Sequence, residues 1–411
     1  MLSSARVNVF SKVFSLVLCL AFVVPGVSLA AKSPWVMAYY PFWVQKSGMP
    51  SVGEINFSCM THIVHFAVLP TNDGTIDMSS NGGVTSEAAR SLIQAAHAAG
   101  KKALISIGGA NSRPAFLGAL SAASRPTFVK SVVKLCVDFG YDGVDLDMEP
   151  IKSGDVEDFA AFAHSLRESM KAANPRLLLT AATQWEPKLF GRIQGDLDQV
   201  NLMTYDLAGK WLGKSWHNSA IRDGSKAFTS AMPVSIDGMV KQFAEAGIPR
   251  TKLGAGIDFM GYIWTGVHSP NQDLKTAVQS LSGSKTDVNA AAEMPAASEA
   301  EKVSCSGIKY NVIMDQHYKP EYLKWDNAAG AAYLSIDLPG TDNDKFISFD
   351  SERGCAEKAA YVKQQNLGGL IIWDIGAGYR PNQPAGKKDA LLKSVGKAVF
   401  GSARSEISGR Q

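Results

Sequence analysis

The sequence predicts an α/β chain folded as a (β/α)8 TIM barrel, with a small α+β insertion between its seventh and eighth strands. Three observations carry that expectation. From Ser33 onward, short apolar runs alternate with segments of helical periodicity. The runs are near-continuously apolar, as strands of a parallel sheet covered on both faces must be. Eight strand–helix repeats close most naturally into a barrel. A doubly wound open sheet is the competitor, but it uses fewer strands, and no Gly-rich dinucleotide fingerprint follows the first run.

Each element has its own signal. Trp35–Tyr40 is an apolar run ended by Pro41. Thr61–Leu69 is a second, ended by Pro70 and the turn residues Asn72-Asp73-Gly74. Ser86–Ala99 reads as a helix closed by Gly100, followed at once by the third strand, Lys102–Ile107, which runs into Gly108-Gly109. Pro126 opens the next helix, with Phe128, Val132, Leu135 and Phe139 at helical spacing and Gly140 as its stop. The fourth strand, Asp142–Glu149, is followed by a helix over Asp155–Lys171. Arg176–Thr183 and Gln199–Tyr205 are the fifth and sixth strands. Ile236–Ala246 is helical, Lys252–Phe259 is the seventh strand, Ser351–Gln365 is helical and Gly368–Trp373 is the eighth strand. Asp389–Phe400 is the last helix, and residues 401–411 form a polar tail.

More than a hundred residues, about Gly261 to Leu367, separate the seventh and eighth strands. Within them Asn271–Ala300 is rich in Ser, Ala, Asp and Lys, while Gly307–Ile313 and Ala331–Ser335 read as strands. The insertion, placed at about 262–345, belongs on the C-terminal rim, where such barrels carry their variable loops. The catalytic barrel is expected over 31–400.

Residues 1–30 have the pattern of a signal peptide. Arg6 and Lys12 precede an apolar run from Val13 to Val24, and Ser28-Leu29-Ala30 offers small residues before a cut after Ala30. The run is too short for a membrane span, and Leu18 before Cys19 fits a lipid-attachment site poorly. A secreted product, extracellular or periplasmic, is therefore expected, with no membrane partner once the leader is removed. In an oxidising compartment Cys59, Cys136, Cys305 and Cys355 could pair in three ways, which spacing does not resolve. Cys136 lies on an apolar helical face, as a free buried thiol would. No C-x-x-C occurs and the histidines show no ligand spacing, so neither a metal nor a cofactor is expected. With 41 Lys+Arg against 38 Asp+Glu and no basic stripe, nucleic acid is not an expected partner. A monomer is expected.

The chemistry concentrates in Asp142-Gly143-Val144-Asp145-Leu146-Asp147-Met148-Glu149. On a strand, side chains alternate, so Asp145, Asp147 and Glu149 share one face and Val144, Leu146 and Met148 the other. Neighbouring acids on that face stand about 6.6 Å apart. Three like charges so close in a poorly solvated place cannot all ionise freely, and at least one proton is held to higher pH. A metal-binding or solvated acidic loop is the plain alternative, but the interleaved apolar residues argue for a buried strand. Asp142, of opposite parity, reads as structural.

Barrel enzymes gather their reactive groups at the C-terminal ends of the strands. Here those ends hold Tyr39 and Tyr40, Phe66, Ser106 with Gly108-Gly109, Glu149, Trp185, Met203-Tyr205-Asp206 and Trp373. Any one of these aromatics could be barrel filler, and Ser106-Ile107-Gly108-Gly109 alone could be a tight turn. Together they suit a sugar, whose ring faces stack on aromatics and whose hydroxyls bond to carboxylates.

The octapeptide matches the D-G-x-D-x-D-x-E signature of the family 18 glycoside hydrolases, the chitinases and their relatives, and the chain resembles a secreted, bacterial-type member. Ser106-Ile107-Gly108-Gly109, Met203-Thr204-Tyr205-Asp206, Gly209-Lys210-Trp211, His217-Asn218 and Ile371-Ile372-Trp373 are similar to further family features in the same order, over about Ser33 to Phe400. The resemblance implies retaining hydrolysis of β-1,4-linked N-acetylglucosamine polymers, endo-acting, with chitin or chitooligosaccharides as substrate. Glu149 would be the general acid. No second carboxylate would attack: the sugar's own N-acetyl oxygen would form an oxazolinium ion. Asp147 would orient the acetamido group and share a proton with Asp145, Tyr205 would bond the acetamido oxygen, and Asp206 would hold the distorted sugar. Trp373 would floor the reacting ring. Tyr39, Phe66, Gly108, Gly109, Trp185, Met203 and Trp211 would complete the substrate-binding set.

Two departures stand out. Many members carry Y-G-R after the seventh strand, where this chain has Met260-Gly261-Tyr262, and Trp373 is followed by Asp374-Ile375-Gly376 instead of the common Glu-Leu-Asp run. The outer subsites are therefore expected to differ. The rival readings are an endo-β-N-acetylglucosaminidase acting on N-glycan cores, and a sugar-binding protein without turnover. The first would need an open groove, against which the insertion speaks. The second arises when the acid is lost, and Glu149 is present. No separate chitin-binding module is visible.

Overall fold

The computed structural model describes residues 33–79, 83–224, 228, 230, 232–274, 303–339, 341 and 343–401. The expected signal peptide, most of the Asn271–Ala300 stretch and nearly all of the polar tail lie outside the described residues.

In chain order the strands are β1 (Trp35–Pro41), β2 (His62–Pro70), β3 (Ile76–Asp77), β4 (Lys102–Gly109), β5 (Gly143–Met148), β6 (Leu178–Thr183) and β7 (Gln199–Leu202). They continue with β8 (Leu253–Asp258), β9 (Met260–Thr265), β10 (Ser304–Lys309), β11 (Leu323–Asp326), β12 (Ala331–Ile336), β13 (Lys345–Phe349) and β14 (Gly369–Trp373). The parallel order β1-β14-β8-β7-β6-β5-β4-β2 returns to its start through the pairing of β1 with β2, so eight strands close a barrel. The short β3 adds antiparallel to the end of β2.

The helices form where the sequence signals them. Thr85 caps the helix Ser86–Ala98 by accepting from Ala88 N, and Ala89, Leu92, Ile93 and Ala96 are its buried face. The helix Arg125–Phe139 has Pro126 in its first turn and stops at Gly140, whose φ of 82° suits glycine. Phe128 stacks on Phe162 of the helix Val156–Ala173 with centroids 4.4 Å apart. Each such fully buried ring stabilises the fold by roughly 1.5–3 kcal/mol relative to exposure.

The sheet divides two apolar regions. Val144, Leu146 and Met148 of β5 pack outward with the helices, whereas Met37, Tyr39, Val64, Phe66, Leu104 and Ile371 fill the interior. At the N-terminal end Trp35 lies across two strands. A Cβ on Gly369 would meet its ring at 2.4 Å, so only glycine lets the ring lie there.

Three boundaries differ from expectation. The sixth barrel strand ends at Leu202 instead of Tyr205, because the chain then turns inward and reaches a left-handed φ of 57° at Asp206. The expected strand Gly307–Ile313 lies over Ser304–Lys309 and passes into a helical turn, Tyr310–Val312. Between the seventh and eighth barrel strands stands an antiparallel sheet of order β10-β9-β13-β12-β11. Sequence reading finds only part of it, because strands such as Leu323–Asp326 are half exposed and lack the continuous apolar run of a barrel strand. Trp216, Trp264 and Phe346 are buried beneath this sheet. All four described cysteines are free, Cys59, Cys136 and Cys355 buried and Cys305 partly so. No pairing among them is present. Among the described residues, no helix is long and apolar enough to cross a membrane.

Candidate active site

A cavity of about 640 Å³ opens at the C-terminal end of the barrel. Strand parity on β5 decides what faces it. Asp145 lies deepest and is wholly buried, Asp147 is above it, and Glu149 follows where the strand ends, half-buried at the cavity wall. Asp142, of opposite parity, accepts instead from Ala103 N and pairs with His97, both at 2.8 Å.

The neighbouring strand explains the glycines. Gly108 and Gly109 line the cavity with φ of 123° and 109°. A Cβ on Gly108 would fall 2.0 Å from Asp147 O, and one on Gly109 would fall 2.5 Å from Phe66 Cζ. Their lack of a side chain lets β4 press against the acid-bearing strand and admits the Phe66 ring. Phe66 sits in a register irregularity of β2 between His65 and Val68, a bulge of the kind that re-aims a side chain. Its ring meets Trp373 edge-on at 4.7 Å, and Tyr39 meets Trp373 at 5.8 Å. The Phe66–Ala67, Glu149–Pro150 and Trp373–Asp374 peptide bonds are cis.

Hydrogen bonds order the acids. Asp145 accepts from Tyr39 Oη at 2.7 Å and from Thr180 Oγ1 at 2.5 Å. Burial nevertheless raises its pKa to about 6. Asp147 is hydrogen-bonded to Glu149, and burial with the adjoining Glu149 and Asp145 charges drives its pKa well above the ordinary carboxylate range. Asp147 Oδ1 has no hydrogen-bond partner among the described residues. Glu149 is raised to about 7, by burial first and by the Asp206 charge second, with the Asp147 hydrogen bond opposing.

Most of the expected residues converge here. Tyr39, Phe66, Trp185, Met203, Tyr205, Asp206 and Trp373 all line the cavity. Trp211 does not. It lies exposed on the short turn Lys210–Leu212, folded over Gly209, where a Cβ would meet its ring at 1.9 Å. Sequence reading missed three contributors. Trp43, on the short helix after β1, stands half open at the cavity's edge and meets Phe66 edge-on at 5.7 Å. Ser112 Oγ donates to Asp147 O and accepts from Glu149 N, each at 3.1 Å, and so pins the end of β5. Gln184 Nε2 donates to Met203 O at 2.7 Å and Tyr205 O at 2.6 Å. Trp43, four residues beyond Tyr39, had a usable signal in its place just past a strand end; Ser112 and Gln184 had none.

A model of the glycosyl hydrolases family 18 matches residues 36–378. The chain belongs to that family. Among its relatives, Chitinase B of Serratia marcescens is 26% identical over 291 residues, which is 61% of this chain and 57% of the relative. Chitinase A1 of Niallia circulans is 27% identical over 299 residues, 67% of this chain and 40% of the relative. The chain therefore spans about half the length of these two relatives. A class V chitinase of Arabidopsis thaliana aligns more fully, 25% identical over 89% of this chain and 92% of its own. The Group IV chitinase of Ostrinia furnacalis shares the fold with a TM-score of 0.69 at 20% identity, covering 89% of this chain and 100% of its own.

Proposed function

We propose that the chain is a chitinase, cleaving β-1,4 linkages between N-acetylglucosamine units in chitin and chitooligosaccharides with retention of configuration. The observation that carries this reading is Glu149, a carboxylic acid near neutral pKa, hydrogen-bonded to Asp147 in an aromatic-walled cavity. A group so held keeps its proton at the pH where a general acid must donate it. The cavity wall is also suited to pyranose rings: Trp373, Tyr39 and Phe66 form a continuous edge-to-face cluster along it.

In the proposed reaction, the sugar rests over Trp373. Glu149 gives its proton to the glycosidic oxygen as the bond from that oxygen to the anomeric carbon breaks, the leaving sugar departs as an alcohol, and the acetamido oxygen bonds the anomeric carbon from the opposite face. Asp147 holds the acetamido N–H and balances the positive charge that forms, and Tyr205 donates to the acetamido oxygen, fixing its line of attack. Glu149, now ionised, takes a proton from water as that water opens the oxazolinium ring. Asp145 supports Asp147 from beneath, and Asp206 holds the distorted sugar. Similarity of the chain to relatives described as chitinases adds support. We further read residues 1–30 as an export leader, 31–400 as one catalytic unit and the product as a secreted monomer.

Glu149→Gln tests the reading. Turnover of N-acetylglucosamine tetramer should fall by at least a thousandfold, on the scale of a lost essential proton donor, with the folded state intact by circular dichroism. Turnover near normal in that variant removes Glu149 from the mechanism. Wild-type product formed first as the β-anomer, followed by NMR, supports retention; initial α-anomer excludes it. Release of free glycans from a glycoprotein would favour the endo-β-N-acetylglucosaminidase reading.

A further inference from the structure

Asp206 lines the cavity from a strained backbone. Its φ of 57° is left-handed, a region that a non-glycine residue keeps only where the surrounding structure over-determines it. Asn218 supplies that restraint. Its Oδ1 accepts from Asp206 N at 2.9 Å and its backbone O accepts from Leu207 N at 3.0 Å, so two successive N–H groups of the turn end on one residue. Asn218 is itself fixed from the far side. Its Nδ2 donates to Asp258 Oδ2 of β8 at 2.7 Å, and its N donates to Ser348 Oγ of β13 at 2.9 Å. It is buried and does not line the cavity.

We propose that Asn218 is a positioning residue for Asp206: it clamps the left-handed turn and so sets where the carboxylate stands in the cavity. This inference rests on the reading of Asp206 as the group that holds the distorted sugar. It gives a part in the chemistry to a side chain that lies outside the cavity.

An amide suits this place. Asn218 faces an N–H on one side and a carboxylate on the other, and its side chain offers an acceptor to the first and a donor to the second from one rigid plane. A carboxylate here would set two acceptors against each other at Asp258, and an apolar side chain would leave both partners unmatched. The anchor is firm. Asp258 Oδ1 accepts from Met260 N at 2.9 Å, Asp258 N donates to Asp350 Oδ2 at 3.1 Å, and the buried Lys358 donates to that same oxygen at 2.6 Å. The clamp thus ties the turn after β7 to β8 and to its junction with the second sheet. The upstream half of the segment has holders of its own: Gln184 donates to Met203 O and Tyr205 O, and Ser219 Oγ donates to Thr204 O at 2.5 Å. Loss of the Asn218 side chain therefore releases Asp206 while Tyr205 keeps its restraints.

The test is Asn218→Ala, with kcat and KM measured on N-acetylglucosamine tetramer in the wild-type background and again in Asp206→Gly. Glycine adopts the left-handed backbone freely and leaves no carboxylate to place. In the wild-type background kcat/KM should fall by about tenfold or more, mostly through kcat, because a misplaced group costs most in the transition state. In Asp206→Gly the same substitution should cost less than about twofold, while the thermal melt falls by a similar amount in both backgrounds, since the bond to Asp258 is lost in each. Near-normal kcat/KM in a folded Asn218→Ala enzyme overturns the inference, as does an equal loss of kcat/KM in both backgrounds. If Asn218→Ala does not fold, the paired exchange of Asn218→Asp with Asp258→Asn takes its place, because it reverses donor and acceptor across that bond and keeps an acceptor for Asp206 N. The pair should hold kcat/KM within about threefold of wild type, and a pair that stays further below overturns the inference. A fully active Asp206→Gly enzyme would instead overturn the reading of Asp206 as the holder of the sugar, so the two failures are separable.

Discussion

Tyr39 and Asp145 meet inside the barrel from strands three places apart around it, the phenol donating to Asp145 Oδ2 at 2.7 Å. The bond satisfies an acid with no access to water and anchors the aromatic ring that meets Trp373 edge-on. Tyr39→Phe preserves the ring and deletes the donor. Asp145 should then hold its proton more firmly and support Asp147 less well. We expect kcat to fall about tenfold, the scale of one hydrogen bond to a charged group, with KM little changed. Steady-state kinetics beside a thermal melt will separate this from a general loss of packing.

The raised pKa of Glu149 has a cost that can be measured. Below about 4.5 the group is protonated in both folded and unfolded chains and contributes no difference. As pH rises from there to about 7, the unfolded chain loses the proton while the folded one retains it, so stability falls and then levels. Glu149→Gln lacks this dependence. Its unfolding free energy should match wild type in acid and exceed it in mild alkali, by on the order of 3 kcal/mol at most, less what solvent at the cavity screens, as read from melts across pH. Equal melting curves at both ends of the range would contradict the assignment of the raised proton affinity to this residue.

Gly108 is predicted to tolerate no side chain. Its φ is 123°, and the atom a Cβ would strike is a backbone oxygen of β5, which cannot swing aside. Gly108→Ala should destabilise the chain by about 3 kcal/mol or more and abolish activity through displacement of Asp147. Chemical denaturation monitored by tryptophan fluorescence checks the first expectation.

Gln184 holds the segment that carries Tyr205 and Asp206 by donating to two of its carbonyls, those of Met203 and Tyr205. Gln184→Ala should loosen that loop, lowering kcat about tenfold with a change in melting of about 1 kcal/mol. A melt displaced far more than kcat would mark the residue as structural only.

The barrel and the acid strand are legible in the sequence for one shared reason: both are written as local periodicities. The alternation of Val144, Leu146 and Met148 with Asp145, Asp147 and Glu149 separates core from cavity before any tertiary contact is known. What stays illegible depends on non-local geometry. Trp211 follows a strand end as Trp185 does, yet the turn at Gly209 folds it out onto the surface. Whether Asp147 bonds Asp145 or Glu149 depends on where Tyr39 and Thr180 point, from strands far off in sequence. Ser112 and Gln184 act on main-chain atoms, a use that leaves no compositional trace. The four thiols are likewise separated by where the folded chain carries them, which spacing along the chain does not disclose.

Only Phe259 separates β8 of the barrel from β9 of the second sheet, and its own N–H and C=O are bonded to Trp373 and Tyr310. A joint one residue long, with both its polar groups occupied, offers no hinge. The inserted sheet is consequently tied closely to the rim of the barrel, and its place there is set when the chain folds.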